Sequence, residues 1–437
     1  MHADKTTLHD LSIFHHDEEQ SVFHHLNFTQ TNGGREHLRS ILHKPLESIH
    51  AIKDVQQTLK QLMAIADSWA YNITNGTVMV VEKFYDTPLE PFPHGSSFLE
   101  SWYYKIMNGP DYSLTKYSVE HFIAFFKGLE QISTLLSQPK SVLLQTSLER
   151  INMLLKHPNI QEMTRSEKGK ELSPVDVMTF GRFLKNHFDQ KTSELIDIYS
   201  KLDAYLSLAI ACKKYNFNFP DFEETNLPFF EAENLFHVQL TMPVAYNVCL
   251  NNEKNFLFLT GANMGGKSTF IKAMGIGVYL AHLGMGVPAT KMRLSFFDGI
   301  LSNIQVVDNV VKGESFFYNE VQRIKSTVEK ISDGKKWLIL IDELFKGTNQ
   351  QDAVKCSITV IEGLRKMNNA LFVLSTHLYE IGEALKQYKN IQFQYFETSI
   401  VDDQLVFSYQ LKEGISNDRL GYLILKKEGV VDMLNKL

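Results

Sequence analysis

The stretch FLFLTGANMGGKSTFIKAMGIGVYLAHL, Phe256 to Leu283, decides the fold. FLFLT is a short apolar run without polar alternation, the pattern of a strand covered on both faces. GANMGGKST, Gly261 to Thr269, fits G-x-x-x-x-G-K-[ST], and IKAMGIGVYLAHL continues as a helix. Strand, glycine loop and helix in that order are the context in which this pattern cradles phosphate. Gly261, Gly265 and Gly266 let the backbone turn tightly, so that consecutive N–H groups face phosphate oxygens with the positive end of a helix behind them. Lys267 is placed to neutralise β- and γ-phosphates, and Ser268 to put its hydroxyl on Mg²⁺. The candidate ATP-binding set is therefore Gly261, Asn263, Met264, Gly265, Gly266, Lys267, Ser268 and Thr269.

Two strand ends downstream add chemistry. WLILIDELFKGTN reads as an apolar strand that ends in adjacent carboxylates, Asp342 and Glu343. At the carboxyl end of a strand neighbouring the glycine loop, Asp342 can hold the Mg²⁺ shell, while Glu343 orients or deprotonates an attacking water. The second acid favours hydrolysis over nucleotide binding alone. In LFVLSTHL a further strand ends in Ser375, Thr376 and His377, and a polar group at the tip of the next central strand reaches the γ-phosphate.

Outward from this stretch the chain changes character. All but one of the 12 prolines lie before Gly261 and 16 of the 24 glycines lie from there on, so the two parts differ in architecture. Residues 8 to about 230 read as helical, with apolar residues at helical spacing from Val119 to Leu136 and in one long stretch from Val175 to Tyr215. After about residue 236, short β-forming runs alternate with helical segments. They are Phe256–Thr260, Trp337–Ile341, Leu371–Ser375, Ile391–Glu397 and Leu405–Tyr409, and they predict a buried parallel sheet. A length of 437 residues holds two or three domains, here a helical domain over 1–235 and an α/β nucleotide-binding domain over 236–437.

Composition narrows the setting. Three cysteines at unpatterned spacings exclude a disulfide framework, and the opening MHADKTTLHD is no secretory signal. No apolar run approaches the roughly 20 residues of a spanning helix, so a cytoplasmic protein away from the membrane is expected. A net charge of −6 gives no global attraction to nucleic acid, so DNA binding must rest on local patches or a groove made by assembly. His15, His16, His24 and His25 form two pairs, but nothing in their spacing fixes a metal geometry.

The three elements together resemble the MutS DNA mismatch-repair family of ABC-type ATPases. TGANMGGKSTF is similar to the family's TGPNMGGKST, IDELFKGTN to its DE-x-x-[RK]-G-T loop, and STHL to its S-T-H. KGESFFYNEVQRI, Lys312 to Ile324, resembles its G-x-S-x-F-x-x-E segment. LNFTQTNGGREHLRSILHKPLESIHAIKDVQQTLKQL, Leu26 to Leu62, resembles the start of its helical core, and Leu202 to Phe222 the helix and exit that lead to the ATPase. GISNDRLGYLILKKEGVVDML, Gly414 to Leu434, is similar to its terminal helix-turn-helix.

The resemblance implies an ABC-type ATPase that acts as a homodimer, with Ser315 reaching in trans to the partner's γ-phosphate and Glu343 and His377 completing catalysis. It implies Mg²⁺ on Ser268 and Asp342, DNA as a partner, and a role in DNA repair or recombination. The sequence enters the helical core almost at once, so the domains that read a mismatch are expected to be missing. Ala262 stands where the family has Pro, and LSNIQVVDNV, Leu301 to Val310, lacks the family's Arg near its start. A transporter-type subunit is disfavoured because KGESFFYNE is a poor match to an LSGGQ-like signature. A scaffold that only binds nucleotide is disfavoured by the joint presence of Lys267, Ser268, Asp342, Glu343 and His377.

Overall fold

The structure, a computed structural model, describes residues 1–69, 72–93, 97–165, 172–262, 264–304, 316–401, 404–416 and 430–434. Asn263, Ser315 and most of the Gly414–Leu434 segment lie outside the described residues. The strands are β1 (His2–Ala3), β2 (Asp221–Glu223), β3 (Phe230–Leu235), β4 (Tyr246–Leu250), β5 (Phe256–Thr260), β6 (Lys291–Ser295), β7 (Gly299–Asn303), β8 (Trp337–Asp342), β9 (Ala370–Ser375), β10 (Ile391–Val401) and β11 (Gln404–Glu413). The helices before β2 are α1 (Lys5–Asp10), α2 (Val22–Leu26), α3 (Asn32–His43), α4 (Ile49–Ile65), α5 (Asn75–Asp86), α6 (Phe98–Met107), α7 (Gly109–Leu135), α8 (Val142–Leu155), α9 (Pro158–Arg165), α10 (Pro174–His187) and α11 (Asp189–Lys214). Those among the later strands are α12 (Lys267–His282), α13 (Phe316–Ile331), α14 (Gln350–Leu364) and α15 (Tyr379–Leu385). A helical N-terminal region is thus followed by a mixed α/β sheet region.

The chain divides into two units, and the division is interleaved rather than a single cut after residue 235. One unit comprises Leu26–Lys44 and Lys53–Lys214; the other comprises Met1–His25, Pro45–Ile52 and Tyr215–Leu437. The first 25 residues go with the sheets because they are bonded there. β1 pairs in parallel with β7, and the buried Asp10 carboxylate accepts hydrogen bonds from Ser302 Oγ at 2.6 Å and from the Ile304 amide at 2.9 Å. A two-residue strand carries no periodicity by which sequence could place it.

In the helical unit, Phe84, Phe122, Phe125, Phe126, Phe188 and Tyr199 are fully buried, as the aromatic spacing of this region requires. Ser173 and Asp176 form a capping box around Pro174 at the start of α10. The helical apolar spacing from Val175 to Tyr215 is carried by two helices, since the chain breaks at Phe188, whose ring packs between Phe126 and Phe183. Asp203 of α11 ties down the start of α3. Its carboxylate accepts from the Gln30 amide at 3.0 Å, the Thr31 amide at 2.9 Å and Thr31 Oγ1 at 2.8 Å. A Cβ at Gly34 would sit 2.1 Å from that carboxylate, so only glycine allows the approach. Helix α6 is oriented against the rule for this unit, with Ser101 and Tyr104 buried and most of its large apolar residues exposed.

In the sheet unit the seven-stranded sheet runs β1-β7-β8-β9-β5-β10-β11, and the four-stranded sheet runs β2-β6-β3-β4. The large sheet is parallel except at its last pair, where β10 and β11 are antiparallel, so the final run expected as a parallel strand returns as a hairpin. β5 is central and buried throughout, and β8 and β9 are buried at every position as well. β8 does not adjoin β5 as expected; β9 lies between them. The carboxyl ends of all three strands therefore form one edge, with the residues after β9 in the middle.

Candidate nucleotide site

The glycine loop turns where its residues permit it. Gly261 has φ +136° and Gly266 φ +107°, both in the left-handed range that penalises a Cβ. Gly266 caps α12 without a side-chain hydrogen bond, so the first-turn N–H groups of a 16-residue helix stay available at the loop. Lys267 is buried, and its Nζ donates to the carbonyls of Gly261 at 2.7 Å and Ala262 at 2.9 Å. Burial lowers the Lys267 amine from its ordinary pKa, while the carboxylates of Glu343 and Asp342 act to raise it. The cation is thus held at the loop with two acids in range.

Asp342 ends β8 as a buried carboxylate gripped from two sides. Ser268 Oγ donates to Oδ2 and Ser375 Oγ donates to Oδ1. The second contact follows from register, since Asp342 and Ser375 are direct partners in the β8–β9 ladder. A hydroxyl and a carboxylate oxygen at one point are a donor set of the hard-oxygen kind that Mg²⁺ takes, with phosphate and water filling the other positions.

Glu343 is treated differently from its neighbour. Its backbone has φ +65°, a left-handed conformation that costs a non-glycine residue energy and that collects at functional sites. Its carboxylate lies 3.1 Å from His377 Nδ1 and 3.2 Å from Lys346 Nζ. Burial pushes this carboxyl up, but hydrogen bonding to His377 and the charge of Lys346 outweigh it and hold the pKa at about 2. The group is ionised at neutral pH and weakly basic, which suits it to orienting a water more than to taking its proton.

These side chains line one cavity of about 660 Å³. Gly266, Lys267, Ser268, Thr269, Asp342, Glu343 and Lys346 form a polar end, and Leu240, Val244, Tyr246 and Tyr409 bring apolar and aromatic surface. Ala262 and Met264 border it, and Met264 is exposed with φ +69°.

Residues 257–434 match the family model of MutS domain V. The chain is similar to the DNA mismatch repair protein MutS of Thermotoga maritima, with 28% identity over 64% of this chain and 35% of the relative. It is similar to the MutS of Petrotoga mobilis, with 27% identity over 62% of the chain and 33% of the relative, and to that of Staphylococcus haemolyticus, with 28% over 57% and 29%. The stretch from residue 257 to 434 is thus of the MutS domain V family. The match spans about a third of the length of these curated MutS relatives.

Of the site residues read from sequence, Gly261, Met264, Gly265, Gly266, Lys267, Ser268, Thr269, Asp342, Glu343 and His377 come together around this loop of the MutS domain V region. Asn263 and Ser315 are outside the described residues. Three contributors escape a sequence reading. Lys346 lies within the quoted IDELFKGTN, but its pairing with Glu343 depends on the turn between them. Tyr409 reaches the cavity only because β11 returns beside β10. Glu320 of α13 is buried, and its carboxylate accepts from the amides of Lys346 at 3.1 Å and Gly347 at 3.2 Å. It occupies the acid position of the G-x-S-x-F-x-x-E segment, which was the available signal.

Among the described residues, no helix is long and apolar enough to cross a membrane.

Proposed function

We propose that this chain is a MutS-type ATPase that binds and hydrolyses MgATP at a site completed by a second copy, and that couples this cycle to DNA in repair or recombination. The observation that carries the reading is the convergence of Lys267, Ser268, Asp342 and Glu343 on one cavity whose other part is aromatic and apolar. A nucleoside triphosphate has the matching halves, an anionic tail and a flat base, and the volume is in the range of small-molecule sites. Loop amides and Lys267 would hold the phosphates, while the exposed Tyr409 would offer a ring to the base.

Ser268 and Asp342 would hold Mg²⁺, which when bound would supply positive charge to offset the charge that develops on the transferred phosphoryl group. Glu343, ionised and contacted by His377 and Lys346, would position the attacking water, and His377 is proposed to sense the γ-phosphate. Ser315 is proposed to reach the partner copy's γ-phosphate, so a single copy is a poor ATPase. Loss of the γ-phosphate then separates the copies, and the helical domain, with the helix-turn-helix of Gly414–Leu434, reports that change.

The deciding experiment measures ATP turnover and oligomeric state together, with and without single-stranded, duplex and branched DNA at low salt. Expected are Mg²⁺-dependent turnover, an ATP-dependent increase in assembly size, and stimulation by DNA that fades as salt rises. Turnover that stays flat across all DNA forms removes DNA from the proposal; no Mg²⁺-dependent turnover removes the ATPase.

A further inference from the structure

Helix α6, FLESWYYKIM, is built inside out. Small Ser101 and Tyr104 are its buried residues, and Ser101 Oγ sits buried without a hydrogen-bond partner. Phe98, Leu99, Trp102, Tyr103, Ile106 and Met107 are instead 40–79% exposed. A helix serving only its own domain has the opposite arrangement, because burying these six side chains and solvating the serine is what the hydrophobic effect favours. Side chains of this size and exposure present roughly 700 Å², about one partner's share of a standard interface and more than a monomer ordinarily leaves in one patch.

The pattern also indicates what covers the patch. The apolar residues come as pairs at 98/99, 102/103 and 106/107, one helical turn apart, so the order reads the same in both chain directions about a midpoint between Trp102 and Tyr103. A two-fold contact requires this property, since it lays one surface against itself. Laid antiparallel, the first pair meets the last and the middle pair meets its own copy. The stripe contains no charge, so a second copy brings no repulsion. Glu100 and Lys105 fall outside it, and Lys105 Nζ lies over the Trp102 ring at 5.0 Å and the Tyr112 ring at 5.2 Å, which holds Trp102 in place.

We propose that the exposed face of α6 is a self-association surface, packing antiparallel on α6 of a second copy of this chain. This contact is separate from the nucleotide-bridged pairing proposed above and needs no nucleotide.

The test uses the full chain in EDTA without nucleotide, followed by sedimentation from roughly 1 to 100 µM, the range in which a modest interface of this size is seen. The wild type is expected to dimerise, and Leu99→Glu with Ile106→Glu to weaken that dimer at least about 100-fold, with an unchanged thermal melt when both are read at a dilution where the wild type is monomeric, because both positions are exposed. In a Cys249→Ser, Cys356→Ser background, Tyr103→Cys is expected to oxidise to a covalent dimer through the midpoint of the stripe, Cys212 being buried. A wild type that stays monomeric, or a dimer indifferent to the glutamates, overturns the proposal. So does a monomeric wild type that co-sediments with phosphatidylglycerol vesicles while the double variant does not, which would assign the face to lipid.

Discussion

Two carboxylates, one buried in the helical unit and one part-buried in the sheet unit, show how the same chemical group becomes structure in one place and reactivity in another. Asp203 in the helical unit is held by the amides of Gln30 and Thr31 and by the Thr31 hydroxyl, within a crossing of α11 and α3 so close that Gly34 has no room for a Cβ. Burial raises its pKa in spite of these donors. Glu343 in the sheet unit is held by two side chains that can move, His377 and Lys346, on a left-handed backbone, at the wall of a cavity. Its pKa moves the opposite way, down to about 2. Fixed backbone donors make an acid into an anchor, whereas side-chain partners beside open space leave it ionised and available.

The comparison breaks first, and by the largest amount, at Glu343. Glu343→Gln is expected to lower ATP turnover by about 10²- to 10⁴-fold with MgATP binding retained, the range for loss of a group that positions or activates a nucleophile. Equal turnover in this variant, read by phosphate release, would remove Glu343 from its role. Asp203→Ala is expected to cost about 3 kcal/mol in urea unfolding, since it strands buried donors, yet to leave turnover per folded molecule unchanged. A catalytic defect without destabilisation would merge the two classes. Lys346→Met leaves Glu343 with His377 alone. The Glu343 carboxyl then rises, so the acid limb of the turnover profile should move to higher pH, while turnover at neutral pH, where the carboxyl stays ionised, should change little.

The smallest effect concerns stability against pH. The folded Glu343 lies below its ordinary value of 4.5, so its ionised form favours the fold above that pH. The advantage of wild type over Glu343→Gln should therefore be complete above about pH 4.5 and vanish as the pH falls toward 2. Urea melts at several pH values would read it, and a difference that grows on acidification would contradict the pairing with His377 and Lys346.

What sequence made legible follows the range of the interactions. Phe256–Thr260, the loop and α12 are contiguous, so one reading places strand, turn and helix together. Asp342 and Glu343 were legible because an apolar strand ends on them. Strand order was not. The position of β9 between β8 and β5 is what brings Ser375 onto Asp342, and no local pattern encodes which strand lies beside which. Tyr246 and Tyr409 look like ordinary β-sheet aromatics until β4 and β11 are set beside the loop. The break at Phe188 was hidden because the apolar spacing continues across it from α10 into α11.

The buried Glu320 has a consequence of a thermodynamic kind. Its helix begins one residue after Ser315, and its carboxylate holds the two amides that follow the Glu343 turn. A pull on one end of this connection strains the other. If the nucleotide on a second copy engages Ser315, the free energy of that contact and the free energy of setting Glu343 become a single shared quantity, and reciprocity then demands that the state of one copy's acid loop alter how tightly it grips its neighbour's nucleotide. One carboxylate with no place in the cavity would in this way make two sites report on each other.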